Sequence, residues 1–189
     1  VGSEMCIRDS SHPAIVTVAG MNARKGIDEL LQAFERVAAT HPAAQLYLVG
    51  DGPERARFEA VARAGTAARR VHFAGFQRDP MPYLRAADVF VLASRRESFP
   101  IVIGEARAAG CAIVATDVDG VRESLDGGRA GVLVPARDPA ALAVAIDALL
   151  ADPPQRARQA AAARVGLEHY EVRRMVDETI ALYRSFLAC

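Results

Sequence analysis

Six short apolar runs limit what this chain can fold into more than any other feature. Residues 15–19, 46–49, 71–74, 89–92, 112–115 and 131–134 are rich in Val, Ile and Leu and do not alternate with polar residues. Strands covered on both faces read this way. Between them lie amphipathic stretches. Residues 27–39 place Ile27, Leu30, Leu31, Phe34 and Val37 on one stripe, the spacing of a helix with one buried face. Pro53 opens a second helix and Pro139 another, which carries Leu142, Ile146, Leu149 and Leu150. Strands alternating with helices predict an α/β fold, a doubly wound parallel six-stranded sheet of Rossmann-like type. Pro153-Pro154 reads as a helix break. Residues 155–187 then read as two further helices, with Tyr170, Met175, Val176, Ile180, Tyr183 and Phe186 on the buried side of the second.

In such a sheet the strand order is 3-2-1-4-5-6, and ligands bind where the winding reverses, beside strands 1 and 4. The two richest loops follow those strands: Gly20 to Gly26 after the first, Arg95 to Pro100 after the fourth. Pro100 sets a helix start, because proline is tolerated in the first turn and costs about 3 kcal/mol further in. Glu97 therefore lies in the loop before the helix. Glu105 lies in its second turn, about 7 Å along the axis from the first free N–H groups. Those N–H groups suit a phosphate, and a carboxylate at that distance suits the sugar hydroxyls of a nucleotide. Glu105 has Ile101, Val102, Ala108 and Ala109 as its helical neighbours and no ion-pair partner there, and Arg107 points elsewhere. A surface glutamate, or one paired with a distant arginine, is the plainer reading. The convergence of both loops on one crevice favours the ligand. Lys25 is the natural partner of a diphosphate there, with Gly26 allowing backbone to approach; a solvated lysine is the default for an isolated residue.

The stretch E-S-F-P-x-x-x-x-E-A at 97–106, followed by A-G-x-x-I-V-A-T-D at 109–117, resembles the E-x7-E signature of retaining glycosyltransferases of the GT-B type (glycosyl transferases group 1, family four). Gly20…Lys25-Gly26, the run from Leu48 to Pro53, Ala87 to Val91 and Gly131 to Pro135 fit the wider pattern in order. The resemblance implies the C-terminal half of a GT-B fold, residues 11–189, that binds a nucleotide-diphosphate sugar and transfers the sugar with retention. The donor is UDP- or GDP-linked, with no further cofactor and no metal. Lys25 and Glu97 would be catalytic. Gly20, Arg24, Phe76, Ser98, Phe99, Pro100, Ile101 and Glu105 would join them in binding the donor, Phe76 by stacking on the base and Glu105 by holding the ribose. The N-terminal acceptor domain would be missing, leaving the chain inactive by itself, cytoplasmic, and peripheral to a membrane only through that other half. The family places an arginine directly after the first-strand glycine. Met21 stands there, with Arg24 as the nearest substitute.

Lys+Arg and Asp+Glu both number 23, so no field selects nucleic acid or an anionic membrane. Cys6, Cys111 and Cys189 form no disulfide or metal pattern, which suits a reducing compartment. His12, His41, His72 and His169 are scattered, with no ligand at metal spacing. Residues 1–10 show no periodicity and read as adapter read-through or a disordered tail. Gly50 to Pro53 reads as a turn and helix start, and Asp119 as a helix N-cap. Three other classes remain. A nicotinamide-dependent dehydrogenase would use the same sheet, with Asp51 on the adenosine ribose, but the first turn lacks G-x-G-x-x-G. A nucleotide-sugar 2-epimerase would share the fold, and a non-catalytic module would read Met21 as the mark of a decayed site.

Overall fold

A computed structural model describes residues 12–170 and 172–187. Residues 1–10, Cys6 and Cys189 lie outside the described residues, as do the side chains of His169 and Tyr170. Among the described residues six strands form one all-parallel sheet in the order β3-β2-β1-β4-β5-β6. The strands are β1 (Ala14–Val18), β2 (Gln45–Val49), β3 (Val71–Gly75), β4 (Val89–Leu92), β5 (Ala112–Thr116) and β6 (Val132–Val134). Each lies within one residue of the expected ends. The helices are α1 (Ile27–Thr40), α2 (Arg55–Ala64), α3 (Met81–Ala86), α4 (Ile101–Ala109), α5 (Gly120–Ser124), α6 (Pro139–Ala151), α7 (Pro153–Ala163) and α8 (Val172–Leu187). Pro53 sits in the turn before α2 and does not open it.

Both faces of the sheet are covered, which explains the unbroken apolar runs. Ile15, Leu46, Leu48, Val89, Val91 and Val114 pack against α1, α2 and α6. Val16, Tyr47, Val49, Phe90, Leu92 and Ile113 pack against α3, α4, α5 and α7. The winding reverses between β1 and β4, which pair through Ile15–Val89 and Val16–Phe90.

Arg107 on α4 is wholly buried. Its Nε donates to Ala163 O at 2.8 Å, Nη1 to Ser124 O at 2.7 Å, and Nη2 to Asp126 Oδ2 at 2.8 Å and Val165 O at 2.6 Å. A buried guanidinium is tolerable only when its donors are satisfied in this way. It ties α4 to the end of α5 and to the segment after α7.

The apolar side of α8 carries more apolar surface than a terminal helix needs, so part of it is expected to stay uncovered, and it does. Met175, Val176, Ile180, Tyr183 and Phe186 are 42–70% exposed. The stripe exists, but nothing described in this chain covers it.

Candidate functional site

The loop after β1 is built to deliver Lys25 to the end of β4. Asn22 Oδ1 accepts from the Arg24 N–H at 3.0 Å and caps a 3-10 turn over Ala23–Lys25. Gly26 follows at φ 61°, and a Cβ there would stand 1.9 Å from Ala93 O. Only glycine fits. The approach it permits is to the backbone of Ala93, not to a ligand. The Arg95 N–H then donates to Arg24 O at 2.7 Å, so the two loops are stitched together.

The loop after β4 holds Glu97 in reach of that lysine. Lys25 Nζ lies 2.5 Å from Glu97 Oε1, and the Ser94 hydroxyl donates to the same oxygen at 2.7 Å. The Arg95 guanidinium forks onto Glu29 at 2.8 and 2.9 Å and anchors the loop to α1. Pro100, in extended conformation, occupies the N-cap of α4, where no side chain caps the helix. The first amides of α4 therefore stay available at the mouth of the site.

Three adjoining cavities meet at Phe99. The first, about 460 Å³, opens at the strand ends and is lined by Gly20, Lys25, Phe76, Glu97, Pro100 and Ile101 among others. The second, about 390 Å³ and polar, is lined by Arg24, Lys25, Arg96, Glu97, Ser98, Phe99 and Asp119. The third, about 700 Å³ and largely apolar, runs along α4 past Phe99, Ile101, Gly104 and Glu105 to Met175. The anticipated residues are thus gathered at one end of the sheet, but not in a single cleft. Glu105 faces the apolar cavity, is half-buried, and no hydrogen bond or ion pair reaches it among the described residues. A Cβ at Gly104 beside it would meet nothing within 4 Å, so this glycine keeps the wall of α4 open.

Phe76 is 76% exposed, which removes packing as the reason for an aromatic there. Two expectations are corrected. Met21 is 1% exposed and sits in the core with Ile27; it faces away from the crevice, whereas its neighbour Gly20 and, further along the loop, Lys25 line it. Asp119 occupies the N-cap position of α5 at φ 33°, but its side chain makes no capping bond. It lines the polar cavity instead. Gly50 to Pro53 does form a turn, Asp51 Oδ1 accepting from the Gly52 N–H at 2.7 Å. Sequence reasoning missed Ser94, Arg96 and Gly104. Only the three-residue spacing of Ser94 from Glu97 could have pointed to the first.

Among the described residues, no three His, Cys, Asp or Glu side chains group closely enough to hold a metal ion, and no helix is long and apolar enough to cross a membrane. Burial pushes the Cys111 thiol up to about 12, so it is no nucleophile near neutral pH.

A model of the family described as "Glycosyl transferases group 1" matches residues 12–152. The lipopolysaccharide core biosynthesis glycosyltransferase LpsE of Rhizobium meliloti is 35% identical over 148 residues, 78% of this chain and 42% of that protein. A phosphatidyl-myo-inositol mannosyltransferase of Mycobacterium leprae is 36% identical over 165 residues, 86% of this chain and 43% of the relative. The sucrose-phosphate synthase of Thermosynechococcus elongatus superposes with a TM-score of 0.83 at 31% identity, over 94% of this chain and 46% of its own. The chain spans less than half the length of each of these relatives.

Proposed function

The chain belongs to the glycosyl transferases group 1 family, and from that premise we propose that it is the donor-binding half of a GT-B hexosyltransferase. In this reading a nucleoside diphosphate sugar lies across the three cavities. The diphosphate sits at the uncapped start of α4 beside Lys25, the ribose at Glu105, and the base against Phe76. The sugar contacts Glu97 and the backbone from Ser98 to Ile101, with Gly20 and Arg24 beside it. Residues 11–189 form this half. An N-terminal domain supplies the acceptor, along with any contact to a membrane surface.

The observation that carries the reading is the meeting of Lys25, Glu97 and the free amides of α4 at the sheet's switch point. The anomeric C–O bond to the diphosphate breaks, its electron pair leaving with the phosphate oxygen. The acceptor oxygen bonds to the same face of the anomeric carbon, and its proton passes to the departing diphosphate. Negative charge grows on the leaving group, where oriented amides and an ammonium stabilise it most. Retention rests on the E-x7-E resemblance. Glu97 neutralises Lys25 until the diphosphate competes for the ammonium.

Thermal shift with UDP, GDP, ADP and NAD in the presence of chelator tests the reading. One nucleoside diphosphate should raise the melting temperature and NAD should not. Stabilisation by NAD alone would point to the dehydrogenase reading, and a strict need for Mg²⁺ or Mn²⁺ would refute the proposed clamp.

A further inference from the structure

We propose that Ser94 is a positioning residue that keeps Glu97 aimed at the transferred sugar once Lys25 has turned to the diphosphate; this rests on the glycosyltransferase reading above. Ser94 is wholly buried at the end of β4. Its hydroxyl donates to Glu97 Oε1 at 2.7 Å. Its own carbonyl accepts from Thr116 Oγ1 at 2.5 Å, and Thr116, at the end of β5, is 3% exposed. The serine is thus fixed by the next strand of the sheet and not by the loop it serves.

The two oxygens of Glu97 are not equivalent. Oε1 receives both Ser94 and Lys25, whereas Oε2 has no partner among the described residues. The carboxylate borders both the strand-end crevice and the polar cavity, which leaves one oxygen free to accept from a ligand hydroxyl. Lys25 cannot hold Oε1 and clamp a diphosphate at full strength in both roles. When the ammonium moves toward phosphate, Ser94 is the remaining described donor that keeps the side chain in place. A glutamate oriented before the sugar arrives gives up less conformational freedom on binding. A free one would have to be ordered by the sugar itself.

The test compares two affinities by calorimetry: a nucleoside diphosphate and its hexose conjugate. The pairs are UDP with UDP-glucose, GDP with GDP-mannose and ADP with ADP-glucose, taking the base that binds. Ser94→Ala should leave the affinity for the diphosphate within about twofold and weaken the sugar conjugate about tenfold, the scale of one hydrogen bond to a charged group. Glu97→Ala, which removes the acceptor, should shift the same ratio. Ser94→Ala added to Glu97→Ala should then change it no further, because residues acting through one contact are not additive. A purely structural serine would lower the melting temperature and leave the ratio untouched, and that result would overturn the proposal. So would an equal Ser94→Ala effect in both backgrounds. If Ser94→Ala does not fold, Ser94→Gly removes the hydroxyl without adding volume. If no diphosphate binds the wild type, the functional reading itself fails and the inference with it.

Discussion

Gly20 and Met21 are adjacent in sequence and face opposite environments, so one cation placed at each should give opposite results. A Cβ at Gly20 would meet Asn22 Nδ2 at 3.5 Å and Asp51 O at 3.9 Å, ordinary contacts, with no left-handed φ to strain a side chain. Gly20 lines the crevice that also holds Lys25. An arginine there would bring a guanidinium about 5 Å from a bound phosphate charge, worth about 3 kcal/mol at an effective dielectric near 20. Ordering the side chain costs about 1–2 kcal/mol. Gly20→Arg should therefore tighten diphosphate binding by about 1–2 kcal/mol, roughly 5–30-fold, and the gain should shrink in high salt. Met21→Arg puts the charge into a site 1% exposed without a partner. That costs several kcal/mol, a large share of a domain's whole stability of about 5–15 kcal/mol. Titration calorimetry and urea denaturation of both variants read the two effects. A folded Met21→Arg that binds more tightly, beside an inert Gly20→Arg, would refute the assignment of facing directions.

Glu105→Gln should weaken nucleoside diphosphate binding by about 1–3 kcal/mol, as for a lost hydrogen bond to a charged group; unchanged affinity with an intact fold would exclude the ribose contact. The hydrogen bonds from Arg57 hold the Asp28 carboxyl below its usual 3.8, with the Arg95 charge adding to them. A depressed carboxylate stabilises the fold above its unfolded value and loses that contribution as pH falls through its lower folded value. Urea unfolding from pH 6 down to about 3 should thus show a steeper acid loss in wild type than in Asp28→Asn, and parallel curves would remove Asp28 from the acid response. Hydrogen exchange should find α8 the least protected helix, since its apolar side chains are exposed. Sugar transfer by this chain in the absence of an N-terminal half would refute the division of labour proposed for it.

Much of the fold was legible because burial on both faces leaves a direct mark on composition. Runs such as Val89 to Leu92 have no polar face to hide, and Pro100 marks a helix start by its missing N–H. The loop after β1 was harder to read. Met21 faces inward and Gly20 outward just ahead of a 3-10 turn over Ala23–Lys25, and no periodicity survives across such a loop. Asp119 failed as a cap because its backbone is at φ 33°, a conformation that residue type does not announce. The apolar stripe of α8 was read correctly as a stripe, but amphipathicity says only that a face wants cover. Lys25–Glu97 joins residues that were legible singly, and pairing across 72 positions depends on the assembled sheet; Ser94, three residues from Glu97, carried no signal of its own beyond that spacing.

The bonds that Arg107 makes after α6 bear on where this domain can be cut. The match to the family model ends at residue 152, yet two of the acceptors of that guanidinium, Ala163 O and Val165 O, lie beyond it. Gln159 lies beyond it as well, and its side-chain amide pairs with both the N–H and the C=O of Ile113, at 2.8 and 3.0 Å, in the manner of a neighbouring strand. A polypeptide trimmed to the matched region would leave part of β5 without those bonds and a buried cation short of two of its carbonyl acceptors. The region matched by the family model and the piece that keeps these bonds are therefore different lengths, and α7 with the two residues after it is the difference. Transplanting this half onto another acceptor domain would have to carry residues 153–165 along with the motifs.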